Sequence, residues 1–458
     1  MCRSLLTVVA AGLAALLASP LASTVAGAQG RPGGAAPAAE APPPAVLIRN
    51  VSVWDGVADR ATPGQSVLVE GQLIRRVAAA IEAPAGATVI DGGGRLLMPG
   101  IIDAHTHLSL PMDRPFREDP GYVDALSLQA ARIVLLHGWT TVRDLGGPSQ
   151  GLARAIAEGI AEGPRVYTSA AFISQTSGHG DFRDLTARHP NGGGVPDAFE
   201  HRYALLADGP AEVRRAVRES LRQGATAIKM MAGGGISSQY DPIDTTQFSL
   251  EEMRAAVESA ADWGTYVAVH AYTDAAVNRA LDAGVKVIEH GHLISEATLK
   301  RIKAEGAYLS SQSFGAARRY AARAADTERG RKGAQVIAGV DNLMGNAKKL
   351  GIPVAFGTDA FGSMRAYEAG PSEFGYRLRW FTSLEILKQA TSINAKLLAL
   401  TGPRNPYQEG PLGVIREGAY ADLLVVEGDP LADVRLLEDP AKNVRLIMKD
   451  GKLYKQTL

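Results

Sequence analysis

Seven times along this chain a stretch with helical spacing stops at a glycine, and a short β-rich run begins within a residue or two. The junctions are Gly138 before TTVRDL, Gly163 before RVYTSA, Gly224 before ATAIKM, Gly264 before TYVAVH, Gly284 before VKVIEH, Gly306 before AYLSSQ and Gly351 before IPVAFG. Glycine suits the junction because the residue after a helix often takes a left-handed backbone, which costs other residues more. The helices carry start signals. Ser249 with Glu252 forms a capping box, Asp274 and Ser295 are N-cap candidates, and Val277, Ala280 and Leu281 follow at helical spacing. The run GIIDAH at 100–105 adds an eighth strand, and a helix over Ser383–Leu400 follows the last one. The strand runs are apolar on both faces, as strands covered by helices are. Eight strands alternating with eight helices predict an α/β protein built on a (β/α)8 TIM barrel. A doubly wound open sheet ranks below it, because no Gly-rich phosphate turn follows an early strand.

The flanks read differently. Residues 46–99 and 406–458 hold short alternating runs between Gly and Asp turns, which predicts antiparallel strands. Both chain ends are expected to form a small β-sandwich beside a barrel spanning 100–405. Ahead of them, Arg3, the uncharged run Leu5–Leu17 and the small-x-small site Ala26-Gly27-Ala28 read as a signal peptide over residues 1–28. The apolar run is short for a membrane span, so the expectation is a periplasmic or secreted protein with no membrane insertion after processing. Residues 29–45 are rich in Gly, Pro and Ala and read as a flexible linker. The single cysteine, Cys2, falls inside the signal segment. A mature chain then has no thiolate, and any metal must be held by nitrogen and oxygen. The 48 basic and 48 acidic side chains cancel, so the basic excess of a nucleic-acid binder is missing.

A barrel places its active site at the C-terminal ends of its strands. Strand one ends in His105-Thr106-His107, strand four at Lys229, strand five at His270, strand six at His290 and strand eight at Asp359. Residues i and i+2 of a strand share a face, so His105 and His107 can grip one ion together. An isolated HxH can be accidental spacing, and an isolated buried histidine a satisfied core residue. Neither account explains all of these positions at one rim. A lysine buried among apolar residues loses its proton more readily. The neutral Lys229 amine can then combine with CO2 into a carbamate able to bridge two metals; the alternative is a lysine paired with a nearby acid.

Other residues are less specific. His179, in Ser177-Gly178-His179-Gly180, is a candidate to contact substrate or its tetrahedral oxyanion, or a plain loop histidine. Tyr240 is a candidate to orient a substrate carboxylate or carbonyl, or a packing residue. Arg143-Asp144 reads as a buried structural ion pair and His292 as a residue behind His290, whereas His137, His189 and His201 read as ordinary loop or helix-end residues. The Arg-rich segment 313–335 attracts a carboxylate-bearing substrate or is a solvated helix face.

The segments MPGIIDAHTHL, TTVRDLGG, IKMMAGGG, HAYTDAAVNRALDAGVKVIEHG and FGTDA resemble the amidohydrolase superfamily. The resemblance is closest to its imidazolonepropionase-like branch of Xaa-Pro and related dipeptidases, which includes ochratoxin-hydrolysing amidases, and it covers nearly the whole mature chain. It implies two divalent ions, zinc first and manganese or cobalt as substitutes. His105, His107 and Asp359 would hold one ion, His270 and His290 the other, and carboxylated Lys229 would bridge them. It further implies hydrolysis of a small amide by a hydroxide shared between the ions, with Asp359 as general base and His290 and His179 in the catalytic set. The expected substrate is a dipeptide or N-acyl amino acid. An ochratoxin-type amide, a lactone or a cyclic amide is the alternative, and a non-catalytic scaffold the remote one. Relatives commonly form homo-oligomers. The sequence departs from the branch at AGGG, residues 232–235, where a Thr often precedes the glycines; that departure is expected to touch the substrate loop and not the metals.

Overall fold

A computed structural model of the chain describes residues 45–190, 200–315 and 324–458. The signal peptide, all but the last residue of the linker and part of the Arg-rich segment lie outside the described residues. The expected barrel strands are present at Ile101–Thr106, Trp139–Asp144, Arg165–Thr168, Ile228–Met231, Val267–Thr273, Val287–Leu293, Tyr308–Ser310 and Val354–Ala355. They pair in parallel. The first three form one sheet, and the other five form a second with two extra short strands, Phe172–Ser174 and Ala204–Leu206, at its edge. Backbone hydrogen bonds run across both gaps: Ala104 N–H to Phe356 O at 2.9 Å on one side, Thr226 N–H to Thr168 O at 2.7 Å on the other. Asn394 reinforces the first gap. Its amide donates to Ile102 O at 2.7 Å and Phe356 O at 2.8 Å, and its oxygen accepts the Phe356 N–H at 3.0 Å.

The local signals hold with three adjustments. Gly138 and Gly224 take the left-handed backbone expected of helix-ending glycines (φ 95° and 93°), but Gly163 does not; the helix before it ends at Gly159 (φ 74°). Gly163 is instead demanded by packing, since a Cβ there would lie 2.4 Å from Ile156 Cδ1. The capping box of Ser249 and Glu252 is complete, and the Ser295 hydroxyl caps its helix by accepting the Thr298 N–H. At Asp274 the cap is one residue earlier: the Thr273 hydroxyl accepts the Ala276 N–H, while Asp274 accepts from the Ser295 N–H and hydroxyl. The last helix is not continuous. A π-helical turn, Gln389–Ile393, separates Ser383–Lys388 from Asn394–Leu398.

Both chain ends join one eight-stranded sheet. The pairing is mixed rather than wholly antiparallel, because Thr88–Asp91 and Leu96–Pro99 both run parallel to Ala45–Val53. Leu96–Pro99 then pairs antiparallel with Leu423–Val426, tying the two ends together. The sheet has its own apolar core, which includes Ile48, Val67, Val69, Leu97, Leu423, Val425, Leu446 and Met448. Among the described residues, no helix is long and apolar enough to cross a membrane.

Candidate active site

Strand ends converge on a cavity of about 450 Å³, and His105, His107, Lys229, His270, His290 and Asp359 all line it. His179 and Tyr240 line it too. The tightest group is His105, His290 and Asp359, whose donor atoms lie within 4.8 Å of one another. Asp359 Oδ1 is 3.4 Å from His105 Nε2 and 3.3 Å from His107 Nε2. The ring of His290 is 4.8 Å from that of His105 and 4.5 Å from that of His270. His290 and Asp359 hold left-handed backbone (φ 72° and 53°), which non-glycine residues avoid.

The electrostatics favour ligands over solvated charges. Burial, followed by the positive neighbours around them, pushes His105, His270 and His290 well below the ordinary imidazole value, so their nitrogens keep lone pairs. Burial likewise pushes the Lys229 amine down to about 8, against the opposing pull of Glu289 and Asp359. Burial raises the Asp359 carboxyl, but His105, His107 and Lys229 together hold it below its ordinary value, so it is an anion. His105 Nε2 is buried with no hydrogen-bond partner among the described residues. Buried polar atoms are normally paired, and this one faces a carboxylate across 3.4 Å. The donor set of imidazoles and a carboxylate fits a divalent cation.

A second layer orients the first. His105 Nδ1 donates to Glu289 Oε2 at 2.8 Å, and Arg143 Nη2 donates to Glu289 Oε1 at 2.6 Å. Arg143 is itself held by Ala104 O at 2.6 Å and Tyr266 OH at 3.2 Å. His290 Nδ1 donates to Gln312 Oε1 at 2.8 Å. Both imidazoles thereby keep Nε2 free for the cavity. Sequence reasoning missed Glu289 and Gln312. The available signal was a charged residue inside an apolar strand, VIEHGH, one place before a histidine already singled out.

The pairing of Arg143 with Asp144 is corrected: consecutive strand residues point to opposite faces, and Arg143 reaches Glu289 instead. Asp144 accepts the Leu108 N–H at 2.7 Å and the Gly146 N–H at 3.3 Å, with burial raising its carboxyl to about 6. The glycine-rich loop touches a ligand candidate at Gly234, whose O accepts from His270 Nε2 at 3.2 Å. His292 stands behind His290 as expected, donating to Gln312 O at 2.9 Å. His137 is a helix C-cap and His189 lies 3.6 Å from Asp208, both away from the cavity lining; the side chain of His201 lies outside the described residues.

One wall is aromatic. Phe116 stacks on Phe182 at 5.2 Å, and Phe172 and Phe361 each meet the His107 ring edge-on at 5.7 Å. Phe182 and Phe361 come from loops, where no periodic pattern announces them.

Residues 96–454 match the amidohydrolase family. The ochratoxinase of Aspergillus niger is 35% identical over 376 residues, covering 79% of this chain and 76% of that protein. A crystal structure of an amidohydrolase is 34% identical, with a TM-score of 0.83, over 90% of this chain and 100% of that one. A prolidase crystallised with N-methylphosphonate-L-proline is 32% identical, with a TM-score of 0.83 and the same coverage.

Proposed function

The chain belongs to the amidohydrolase family and is a hydrolase of carbon–nitrogen bonds; from that premise we propose that it cuts the amide of a dipeptide or N-acyl amino acid with two divalent metal ions. One observation carries this reading: the six strand-end residues named for metal binding all line one cavity. His105, His107 and Asp359 would hold one ion, His270 and His290 the other, and Lys229, as its carbamate, would bridge them. Imidazole and carboxylate donors suit zinc, with manganese or cobalt as substitutes. When bound, such ions bring the pKa of a water toward neutrality and polarise a carbonyl.

The chain's own groups supply the rest. Asp359, an anion at the cavity, takes a proton from the attacking water and passes it to the leaving nitrogen. An amine pushed down to about 8 keeps a neutral fraction near pH 7 that can add to CO2. The aromatic wall of Phe116, Phe172, Phe182 and Phe361 shields the site from water and receives an apolar substrate side chain. In this reading the two parallel sheets make one closed (β/α)8 barrel and the terminal sheet a small β-sandwich. Residues 1–28 export the enzyme, which works as a homo-oligomer.

An ochratoxin-type amide is the second reading, favoured by the likeness to the Aspergillus niger enzyme and by the same aromatic wall. The test is a panel of dipeptides, N-acyl amino acids, ochratoxin and lactones on metal-loaded protein, with the metal-to-protein ratio measured on the same sample. Dipeptide or N-acyl amino acid turnover with two ions per chain supports the first reading, and ochratoxin turnover alone the second. Turnover of lactones only, or one ion per chain, overturns the binuclear amidase.

A further inference from the structure

The loop after the strand Ile228–Met231 carries a buried carboxylate that the hydrolytic reading leaves without a task. Asp241 is 1% exposed. Its Oδ2 accepts the Gly235 N–H at 2.7 Å and lies 3.4 Å from His179 Nδ1. The same Nδ1 is 2.5 Å from Ser238 Oγ. A carboxylate only accepts, and the Ser238 hydroxyl donates to Gly235 O at 3.3 Å. Both neighbours of Nδ1 are thus acceptors, so Nδ1 carries the proton and Nε2 is the ring nitrogen left for the cavity. The His179 ring stacks on His270 at 4.2 Å. It also lies flush against Gly235, where a Cβ would come 1.8 Å from His179 Cε1. Glycine here serves close approach of a side chain to the backbone.

Asp241 is fixed in turn from outside the loop. Lys332, on the helix Glu328–Lys349, donates to Asp241 O at 2.9 Å and Ser238 O at 3.0 Å, and its ammonium is 3.8 Å from Asp241 Oδ1. Burial raises the Asp241 carboxyl, but His179, with help from the Gly235 N–H, holds it below its ordinary value, so it stays an anion. Burying an ion pair is often no better for stability than burying apolar residues of the same volume. A buried anion and cation spanning two elements, at the edge of a cavity, therefore call for a role other than stability.

We propose that Asp241 is a positioning residue for His179, anchored by Lys332, and that this chain of contacts aims His179 Nε2 at the amide of the bound substrate. What Nε2 meets rests on the hydrolytic reading above; the Asp241–His179 link does not. His179 is then the substrate-touching group, and Asp241 and Lys332 act only through it.

Asp241→Asn keeps the side-chain shape but replaces one acceptor oxygen by an amide donor. With the substrate found by the panel, kcat falls by roughly 100-fold, the scale of one positioned proton-bearing group, with KM and metal content close to wild type. The Asp241→Asn/His179→Asn double variant is no slower than His179→Asn alone, because both act through one ring. Lys332→Met gives a smaller loss of the same kind. A readout without turnover runs in parallel: long-range 1H–15N spectra of 15N-histidine-labelled protein, with the His179 signals identified by their loss in His179→Asn. Wild type shows Nδ1 protonated, and Asp241→Asn loses that preference. Wild-type turnover in Asp241→Asn, additive losses in the double variant, or an Nε2-protonated neutral His179 in the wild type overturns the proposal. A wild type that keeps the Nδ1–H pattern but cuts no amide on the panel sinks the hydrolytic reading and leaves the positioning contact standing.

Discussion

His105 and Glu289 share a 2.8 Å hydrogen bond from the imidazole Nδ1 to a fully buried carboxylate, and that bond decides which nitrogen of His105 faces the cavity. Glu289→Gln weakens the acceptor and lets the ring turn. Metal affinity, measured by competition with a chromogenic chelator, is expected to fall by about 10- to 100-fold. Unchanged affinity would mean that His105 is oriented without Glu289.

Arg143 is the counterion that makes a buried Glu289 tolerable, at 2.6 Å and with both side chains out of solvent. Arg143→Met leaves an unpaired buried charge, and denaturant unfolding of the metal-free protein should show a loss of about 3–5 kcal/mol. A loss below about 1 kcal/mol would show that the carboxylate finds another partner or a proton.

Lys229 has the opposite signature. Its folded value, about 8, lies below the ordinary 10.5, so the folded state binds fewer protons than the unfolded one. In CO2-free, metal-free buffer, stability therefore rises as pH climbs from about 8 to about 10.5, by roughly 3 kcal/mol, and is flat below that window. Lys229→Met removes this slope, keeps the apo protein at least as stable near pH 7, and abolishes amide hydrolysis. Parallel pH–stability curves for the two proteins would refute the buried, easily neutralised amine.

Asp359→Asn retains shape and most contacts but cannot accept the proton. With metal content verified, kcat should drop by about 100- to 10,000-fold. Near-normal turnover with metal bound would remove Asp359 from the base role.

The repeating framework was legible because it is written locally. Short runs apolar on both faces, helix-ending glycines and strand-final histidines can be read without knowing what lies across the sheet. The supporting layer is not local. Arg143 has an acid as its immediate neighbour, yet its partner is 146 positions away, because strand geometry turns Asp144 to the other side. The register that sets His270 beside Glu289 is likewise a property of the assembled sheet. Asp274 was misread by one position because adjacent Thr and Asp are both good caps. The mixed pairing of the terminal sheet arises where Val46 meets Thr88 and Ser52 meets Leu96, parallel contacts that alternation alone cannot distinguish from antiparallel ones. The link of His179 to Asp241 crosses 62 positions and two loops without any repeating pattern.

The left-handed backbone at His290 and Asp359 sets a limit on how this protein can be improved. Each such residue costs about 1–2 kcal/mol that glycine would not. Glycine at either position would relieve that strain but remove a largely buried side chain that the proposed function assigns to metal binding. Any variant selected for stability should therefore be checked at these two positions before its lost activity is blamed on rigidity.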